Sequence, residues 1–289
     1  MGRKKKTSLQ ILKASALAYQ LAVLAGVKPT GHHLARWYER RMALPYGSES
    51  ESTWRRFLEG TMPQKHRITI LVKLEPELLD LFNHPLWVAL NEESNLLDIF
   101  AILKTQVYPS KSYKISSLED ATSAMPALDR ISLFILMILS SAKHEYIISP
   151  ATAWLADSYA QLKLEPGWVD LSGPLMYLIL VRFESVPLFS NSRFFSCNTD
   201  SNHKFWSDIY DDYRKNQPIS NSTAWATWCS SISRLDWLER KRYLEYVNGV
   251  NSCSPEENNK RRTVYKKVRD QRYKLVRKTP KISIQLLSG

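Results

Sequence analysis

The chain is 289 residues long, 44% hydrophobic and 11% aromatic, with nine Trp and a formal net charge of +12; this excludes a wholly disordered polymer and leaves room for a small module followed by a larger one. The charge is unevenly spread: residues 1–75 sum to +9, residues 76–259 to −7 and residues 260–289 to +10. Solubility does not require such segregation, whereas a polyanion gripped by two basic ends would favour it; the alternative is that the ends neutralise the acidic middle within the fold or in a dimer.

The opening MGRKKK runs into SLQILKASALAYQLAVLAG, whose Tyr and Gln argue for a helix of the folded protein rather than a secretory signal. Thr7 and Gln10 have capping-box spacing, and Leu9, Leu12, Ala16, Tyr19 and Val23 recur at helical intervals until Gly26 and Pro29 close the segment. A second helix, begun near His32 and His33, carries Leu34, Trp37, Tyr38, Met42 and Leu44 and ends at Pro45 and Gly47. Ser50 or Ser52 can cap a third, short helix bearing Trp54, Phe57 and Leu58 and stopped at Gly60. Pro63 suits the first turn of a fourth, with Ile68, Leu71 and Val72 inward.

Four short helices with a Gly-x-x-Pro corner after the third resemble the lambda-repressor/Cro-like helix-turn-helix family; the resemblance rests on Ser52, Trp54, Arg55, Arg56, Gly60 and Pro63, followed by Ile68, Leu71 and Leu74. It implies that the helix from Ser50 to Glu59 lies in a major groove, its early exposed residues toward base edges and phosphates. The sequence departs from the family in the connection ALPYGSES, where that family has a turn of about three or four residues. From the residues alone, an inward stripe of Trp54, Phe57 and Leu58 leaves Thr53, Arg55, Arg56 and Glu59 outward, and two adjacent guanidinium groups suit phosphate or guanine contacts. Arg40, Arg41, Lys65, His66 and Arg67 extend the basic surface. The alternative is an ordinary helix corner, which uses the same Gly and Pro.

Beyond Pro76 the segments LLDLF, HPLWVAL and NLLDIFAILK continue the helical pattern, and YPSKSYKISS at Tyr108 to Ser117 reads as a loop. A domain boundary is placed near residue 92. Further helices are expected at Asp129 to Ala142, Ala151 to Leu164, Leu175 to Phe183, His203 to Lys215 and Thr223 to Val247. The apolar run ISLFILMIL at Ile131 to Leu139 is far shorter than the roughly twenty residues of a membrane helix and reads as a buried core helix. Ser254-Pro255-Glu256-Glu257 opens a last helix. Its Val264, Val268 and Leu275 form a narrow docking stripe, while Lys260, Arg261, Lys267, Lys274 and Lys278 lie largely elsewhere. Interleaved Tyr265 and Tyr273 could stack on unpaired bases; an acidic protein surface or an anionic membrane are the alternative anchors for this helix.

Reactive chemistry is sparse. Cys197, Cys229 and Cys253 lie too far apart for a disulfide framework or a CxxC knuckle and point to a reducing compartment; Cys229, beside Trp225 and Trp228, reads as a buried helix residue. The six His fall in no metal-ligand spacing. Asp208, Asp211 and Asp212 near Lys215 read as an acidic helix face rather than a metal-holding nuclease cluster. No phosphate-cradling glycine loop occurs. The expectation is a mainly α protein without catalysis or cofactor: a basic module (1–92), an acidic helical domain (93–253) offering a surface to a protein partner or a second copy, and a basic C-terminal helix and tail (254–289). Its expected role is regulatory or accessory nucleic-acid binding, to double-stranded DNA, in the cytoplasm, on a bacterial nucleoid or in a nucleus, with no membrane partner. The competing reading is an interaction scaffold within a larger nucleoprotein or protein assembly, its basic ends docking acidic protein surfaces.

Overall fold

In this computed structural model the residues described are 6–94, 122, 125–140, 145–184, 186, 204–214, 228–229, 232, 235, 237–250 and 254–276. Apolar residues spaced three or four apart, punctuated by Gly and Pro, fold as helices: α1 (Ser8–Leu24), α2 (Gly31–Arg41), α3 (Glu51–Leu58), α4 (Lys65–Leu74), α5 (Leu78–Phe82), α6 (Leu86–Ala89), α7 (Ala127–Ser140), α8 (Glu145–Leu162), α9 (Ser172–Phe183), α10 (Trp237–Val247) and α11 (Pro255–Val276), with 204–214 also helical. Among the described residues there is no strand, and no helix is long and apolar enough to cross a membrane.

The helix ends follow local chemistry. At α1 the Thr7 hydroxyl accepts from the Gln10 backbone N–H while the Gln10 side chain accepts from the Thr7 N–H, closing the expected capping box. After α3 the N–H of Gly60 reaches the carbonyl of Phe57 and that of Thr61 reaches Arg56, so two otherwise orphaned carbonyls are satisfied. Gly60 has φ 91°, and a Cβ there would lie 2.4 Å from Ile11 Cγ2 and 3.0 Å from Ile11 Cα. Glycine is therefore required twice, for the left-handed turn and for the contact of this corner with α1. One expected cap keeps its place without its side-chain bond, and one expected start shifts. Ser50 is the N-cap of α3, but its hydroxyl pairs with that of Ser52 instead of a helix N–H. Pro63 precedes the N-cap Gln64 of α4 rather than occupying its first turn, because Gln64 supplies the carbonyl that accepts from Arg67 and Ile68.

Leu12, Leu17 and Leu21 of α1 are buried with Trp54 and Phe57 of α3 and with Leu71 and Leu78. The same core runs on past position 92, through Leu86 and Trp87 to Ile131, Phe134 and Ile135 of α7, Leu155 and Tyr159 of α8 and Ile179 of α9. Polar ties follow that packing: His84 Nε2 lies 2.8 Å from Asp129 Oδ1, and Arg182 Nε donates to the Ala89 carbonyl at 3.1 Å. The segment NLLDIFAILK and the loop Tyr108 to Ser117 lie outside the described residues. The run Ile131 to Leu139 is, as expected, a largely buried core helix. Helix α8 begins at Glu145 instead of Ala151, with Pro150 inside it; its long packing against α7 offsets the one backbone hydrogen bond that proline forgoes.

A second core joins Trp206, Ile209 and Tyr213 of the helical stretch 204–214 to Trp228, Cys229, Tyr243 of α10 and Val264 and Val268 of α11. The docking stripe of the last helix is thus real for its two valines; the Leu275 side chain lies outside the described residues. The acidic face expected from Asp208, Asp211 and Asp212 is not one face. Asp211 is exposed, Asp208 half-buried, and Asp212 turns inward to accept from the Tyr243 hydroxyl at 2.7 Å, because i+4 on this helix faces the second core. Cys229 is fully buried, which raises its thiol well above the usual range; Cys197 and Cys253 lie outside the described residues.

Between the two cores lies a polar seam. Arg130 of α7 donates to Gln161 of α8, Gln161 donates to Asp157, and the Trp206 indole donates to the same Asp157 carboxylate. Glu165, at the end of this row, is buried, and its Oε1 has no hydrogen-bond partner among the described residues. Burial pushes its carboxyl up to about 8, more than the nearby Arg130 guanidinium pulls it down. A carboxyl held protonated in the fold stabilises the native state fully below its ordinary value and loses that contribution as pH rises through the folded value. Stability should therefore fall between about pH 4.5 and pH 8 by up to about 1.4 kcal/mol per pH unit. Melting curves across this range should show the fall in the parent protein and a flatter profile in Glu165→Gln.

Candidate nucleic-acid interface

The face predicted to read DNA is positioned by a buried carboxylate. Glu39, on the last turn of α2, is 2% exposed. Its Oε1 accepts the Glu49 backbone N–H at 2.8 Å, and its Oε2 lies 2.9 Å from Arg36 Nη1. Burial works against this charge, but the N–H groups of Glu49 and Gly47, the Arg36 guanidinium and the Ser48 hydroxyl together hold the Glu39 carboxyl below the usual carboxylate range. Glu49 continues the node: its carboxylate accepts from the Trp54 indole at 3.2 Å and from Arg67 Nη2 at 2.9 Å. The Arg67 guanidinium also sits over the rings of Tyr38 and Trp54, 5.2 and 5.5 Å from their centroids.

These contacts fold the connection 42–50 back along α2, an 11-residue helix about 16 Å long. In consequence α3 starts beside the first turn of α2. A Cβ on Gly31 would lie 2.5 Å from the Glu51 carbonyl oxygen and 3.1 Å from the Arg55 nitrogen, so the two helices approach with their backbones almost touching. His32 Nδ1 then reaches Glu51 Oε1 at 2.8 Å. The long connection is what permits this placement; a three- or four-residue turn would leave α3 at the opposite end of α2.

The predicted contact residues separate into two groups. Arg40, Arg55, Arg56 and Lys65 are exposed, and Thr53 is half-buried on the same short helix as the two adjacent arginines. Arg55 has only a loose 3.9 Å contact with Glu59, both side chains being more than 60% exposed, and Arg56 Nε donates to the Ser52 carbonyl. Arg41 is exposed but lies 3.1 Å from Glu75. Arg67, expected on this surface, is instead absorbed by Glu49 and the two rings, because the fold-back of the loop delivers a carboxylate beside it. Lys6, which donates to the Thr61 hydroxyl at 2.7 Å, adds an exposed cation near the end of α3. Arg36 was not read as functional from sequence; its i, i+3 relation to Glu39 was the available signal.

On α11 three of the cations whose side chains are described, Lys260, Arg261 and Lys267, meet carboxylates of α10 or of its own first turn. Arg261, expected outward, is buried: its Nη1 donates to the Val250 carbonyl, and its Nη2 lies 2.8 Å from Glu245 of α10. Its position one turn before Val264 and two before Val268, both core-facing, brings it to the α10 side. Lys267 reaches Glu239 at 2.6 Å and Lys260 reaches Glu256 at 2.6 Å, while Arg242 of α10 reaches back to Glu257 at 2.7 Å. Tyr265, expected to be available for base stacking, packs against Tyr243 and Tyr246 with centroids 5.8 and 4.7 Å away. Arg262 and Lys266 remain exposed. The side chains of Tyr273 and Lys274, and all of Lys278, lie outside the described residues.

Elsewhere, a cleft of about 300 Å³ opens between the end of α1 and the turn after α8, lined by Tyr19, Val23, Val27, Pro166, Val169 and Asp170. Burial and the adjacent Asp170 raise the Tyr19 hydroxyl above its usual range. With one acid and one phenol on an apolar wall, it supplies no nucleophile–base pair and no set of metal ligands.

If the Glu39 node fixes α3, Glu39→Ala should lower the melting temperature by several degrees and speed hydrogen exchange at the Glu49 amide, whose partner it removes. Slow exchange persisting in that variant would mean that apolar packing of Trp54 alone holds the loop.

No protein-family model, curated protein or solved structure matches this chain at a significant level.

Proposed function

We propose that the N-terminal module binds duplex DNA through α3, in the manner of the lambda-repressor/Cro-like helix-turn-helix family, and that the protein is a non-catalytic regulatory or accessory factor. The observation that carries this reading is how the arginines sort. Arg36 and Arg67 are neutralised inside the module by Glu39 and Glu49, whereas Arg40, Arg55, Arg56 and Lys65 stand in solvent without a tight carboxylate partner among the described residues. A cation already paired with a carboxylate gains little from meeting a phosphate; an unpaired one releases the counterions that phosphate carries. Two adjacent guanidinium groups on one short helix also have the fork geometry that phosphate oxygens and guanine edges accept.

The scaffold reading has its own support in α11. Three of its cations are matched by carboxylates of α10 or of its own first turn, and its valines enter the second core. This helix is thereby an intramolecular strap, which shifts the DNA-binding role toward the N-terminal module; among its described side chains Arg262 and Lys266 face solvent.

Replacing Arg55 and Arg56 together by Ala should weaken duplex binding and reduce the slope of log affinity against log salt by roughly 2 units, at about 0.9 per phosphate contact. The melting temperature should hardly change, since exposed charges contribute little to stability. Trp54→Ala should instead cost about 3–5 kcal/mol of stability, as expected for a fully buried aromatic. Affinity and slope that survive the double replacement would make α3 a structural corner.

Removing residues 260–289 distinguishes strap from grip. As a strap the segment carries Val264 and Val268 out of the second core, so the truncated protein should melt markedly lower and keep its salt slope. A reduced slope with an unchanged melting temperature would return the tail to phosphate binding.

A further inference from the structure

The connection between α2 and α3 exposes apolar side chains that a folded chain normally covers. Met42, Leu44 and Tyr46 are 37%, 40% and 82% exposed. The segment is also backbone-strained, since Ala43 holds φ 51°, the one non-glycine residue with positive φ among the described residues. It is nonetheless held in a single arrangement. Glu39 takes the Glu49 N–H, Arg36 Nη2 donates to the Glu49 carbonyl at 3.3 Å, and Arg67 clamps the Glu49 carboxylate. A strained loop tied at its base presents its side chains already ordered, so little freedom is lost when something docks on them.

Tyr46 has a particular geometry. The Arg36 guanidinium lies over its ring, 4.4 Å from Cζ to the centroid, and the rest of the ring faces solvent. Arg36 Nη2 lies 4.0 Å from Glu51 Oε1, and Arg55 stands one helical turn beyond Glu51, so the loop tip and the exposed arginines of α3 belong to one surface. Arg40 and Arg41 close α2 immediately before the loop and are both exposed. With residues 1–75 at +9, charge complementarity selects a polyanion as the occupant, and an aromatic ring backed by a guanidinium and flanked by leucine is suited to a nucleobase.

We propose that Leu44 and Tyr46 form a wedge that enters a base step of duplex DNA beside α3, Tyr46 stacking its open face on a nucleobase while Arg40 holds a neighbouring phosphate; this rests on the duplex-DNA reading of α3. Apolar side chains inserted at a base step unstack it and bend the duplex, and the bend brings more protein surface onto the backbone. The wedge assigns a purpose to the length of the connection: its apolar tip projects from the same surface as Arg55.

The test uses the full chain and duplexes carrying 2-aminopurine, a base analogue whose emission rises on unstacking, with affinities measured in parallel at several salt concentrations. The parent protein should raise the emission. Tyr46→Ala should abolish the rise and weaken binding about tenfold, with the salt slope unchanged because stacking neutralises no phosphate. Tyr46→Trp should retain both, and none of these variants should move the melting curve. Parental affinity in Tyr46→Ala, or no emission change with the parent, overturns the wedge; if Arg55→Ala with Arg56→Ala still reduces the slope, the α3 reading stands without it. A parent that binds no duplex overturns both. If Tyr46→Ala keeps DNA affinity and instead abolishes self-association in sedimentation, the loop is a protein contact and the wedge falls.

Discussion

The N-terminal module turns on the buried carboxylate of Glu39 and the loop backbone it engages, chiefly the N–H of Glu49 at 2.8 Å. That bond, with the Arg36 contact to the Glu49 carbonyl, draws the connection 42–50 back along α2 and sets α3 beside Gly31. With it, Glu49 is carried to Trp54 and Arg67, and the aromatic interior of the module closes around one acid–base node. An ionised group at 2% exposure is costly unless fully engaged. Glu39 is engaged by an arginine and backbone donors, and the geometry of the loop is what supplies those donors.

The same economy of charge explains which surfaces remain basic. Each interior arginine of the N-terminal module has a carboxylate or ring partner, so the positive charge left over collects on Arg40, Arg55, Arg56 and Lys65. At the other end of the chain the sign is reversed in effect: α10 carries glutamates that meet α11, and a helix with a strongly basic sequence becomes partly neutral on its inner side. Two basic segments therefore differ among their described residues: the N-terminal module offers cations to solvent, whereas α11 has three of its cations met by carboxylates.

The helical units are joined by apolar surface on the first core and by a polar seam on the second. Arg130, Gln161, Asp157 and Trp206 form a chain of hydrogen bonds where the two cores meet. Such a network is directional where apolar contact is not, and it fixes how 204–214 sits against α8. Burial raises the Glu165 carboxyl at its margin to about 8, against the pull of the Arg130 guanidinium, so it is mostly protonated at neutral pH.

The sequence alone determined the mainly α class, the capping box at Thr7 and Gln10, the glycine stop at Gly60, the buried run from Ile131 and the docking valines of α11. These depend on spacing and on groups within a turn of one another, which a linear reading captures. It also picked out Arg55 and Arg56 as outward, since the positions of Trp54 and Phe57 fix the inner face of a short helix. What only the tertiary structure decided was the fate of charges whose partners are distant in sequence. Arg67 is captured by a glutamate 18 positions away and Arg261 by one on another helix, while Asp212 turns to a tyrosine 31 positions on. The route of the connection after Pro45 was equally beyond the linear pattern. A loop without periodicity is placed by whichever buried group its backbone can satisfy, and that group, Glu39, looks in the sequence like any other helix glutamate.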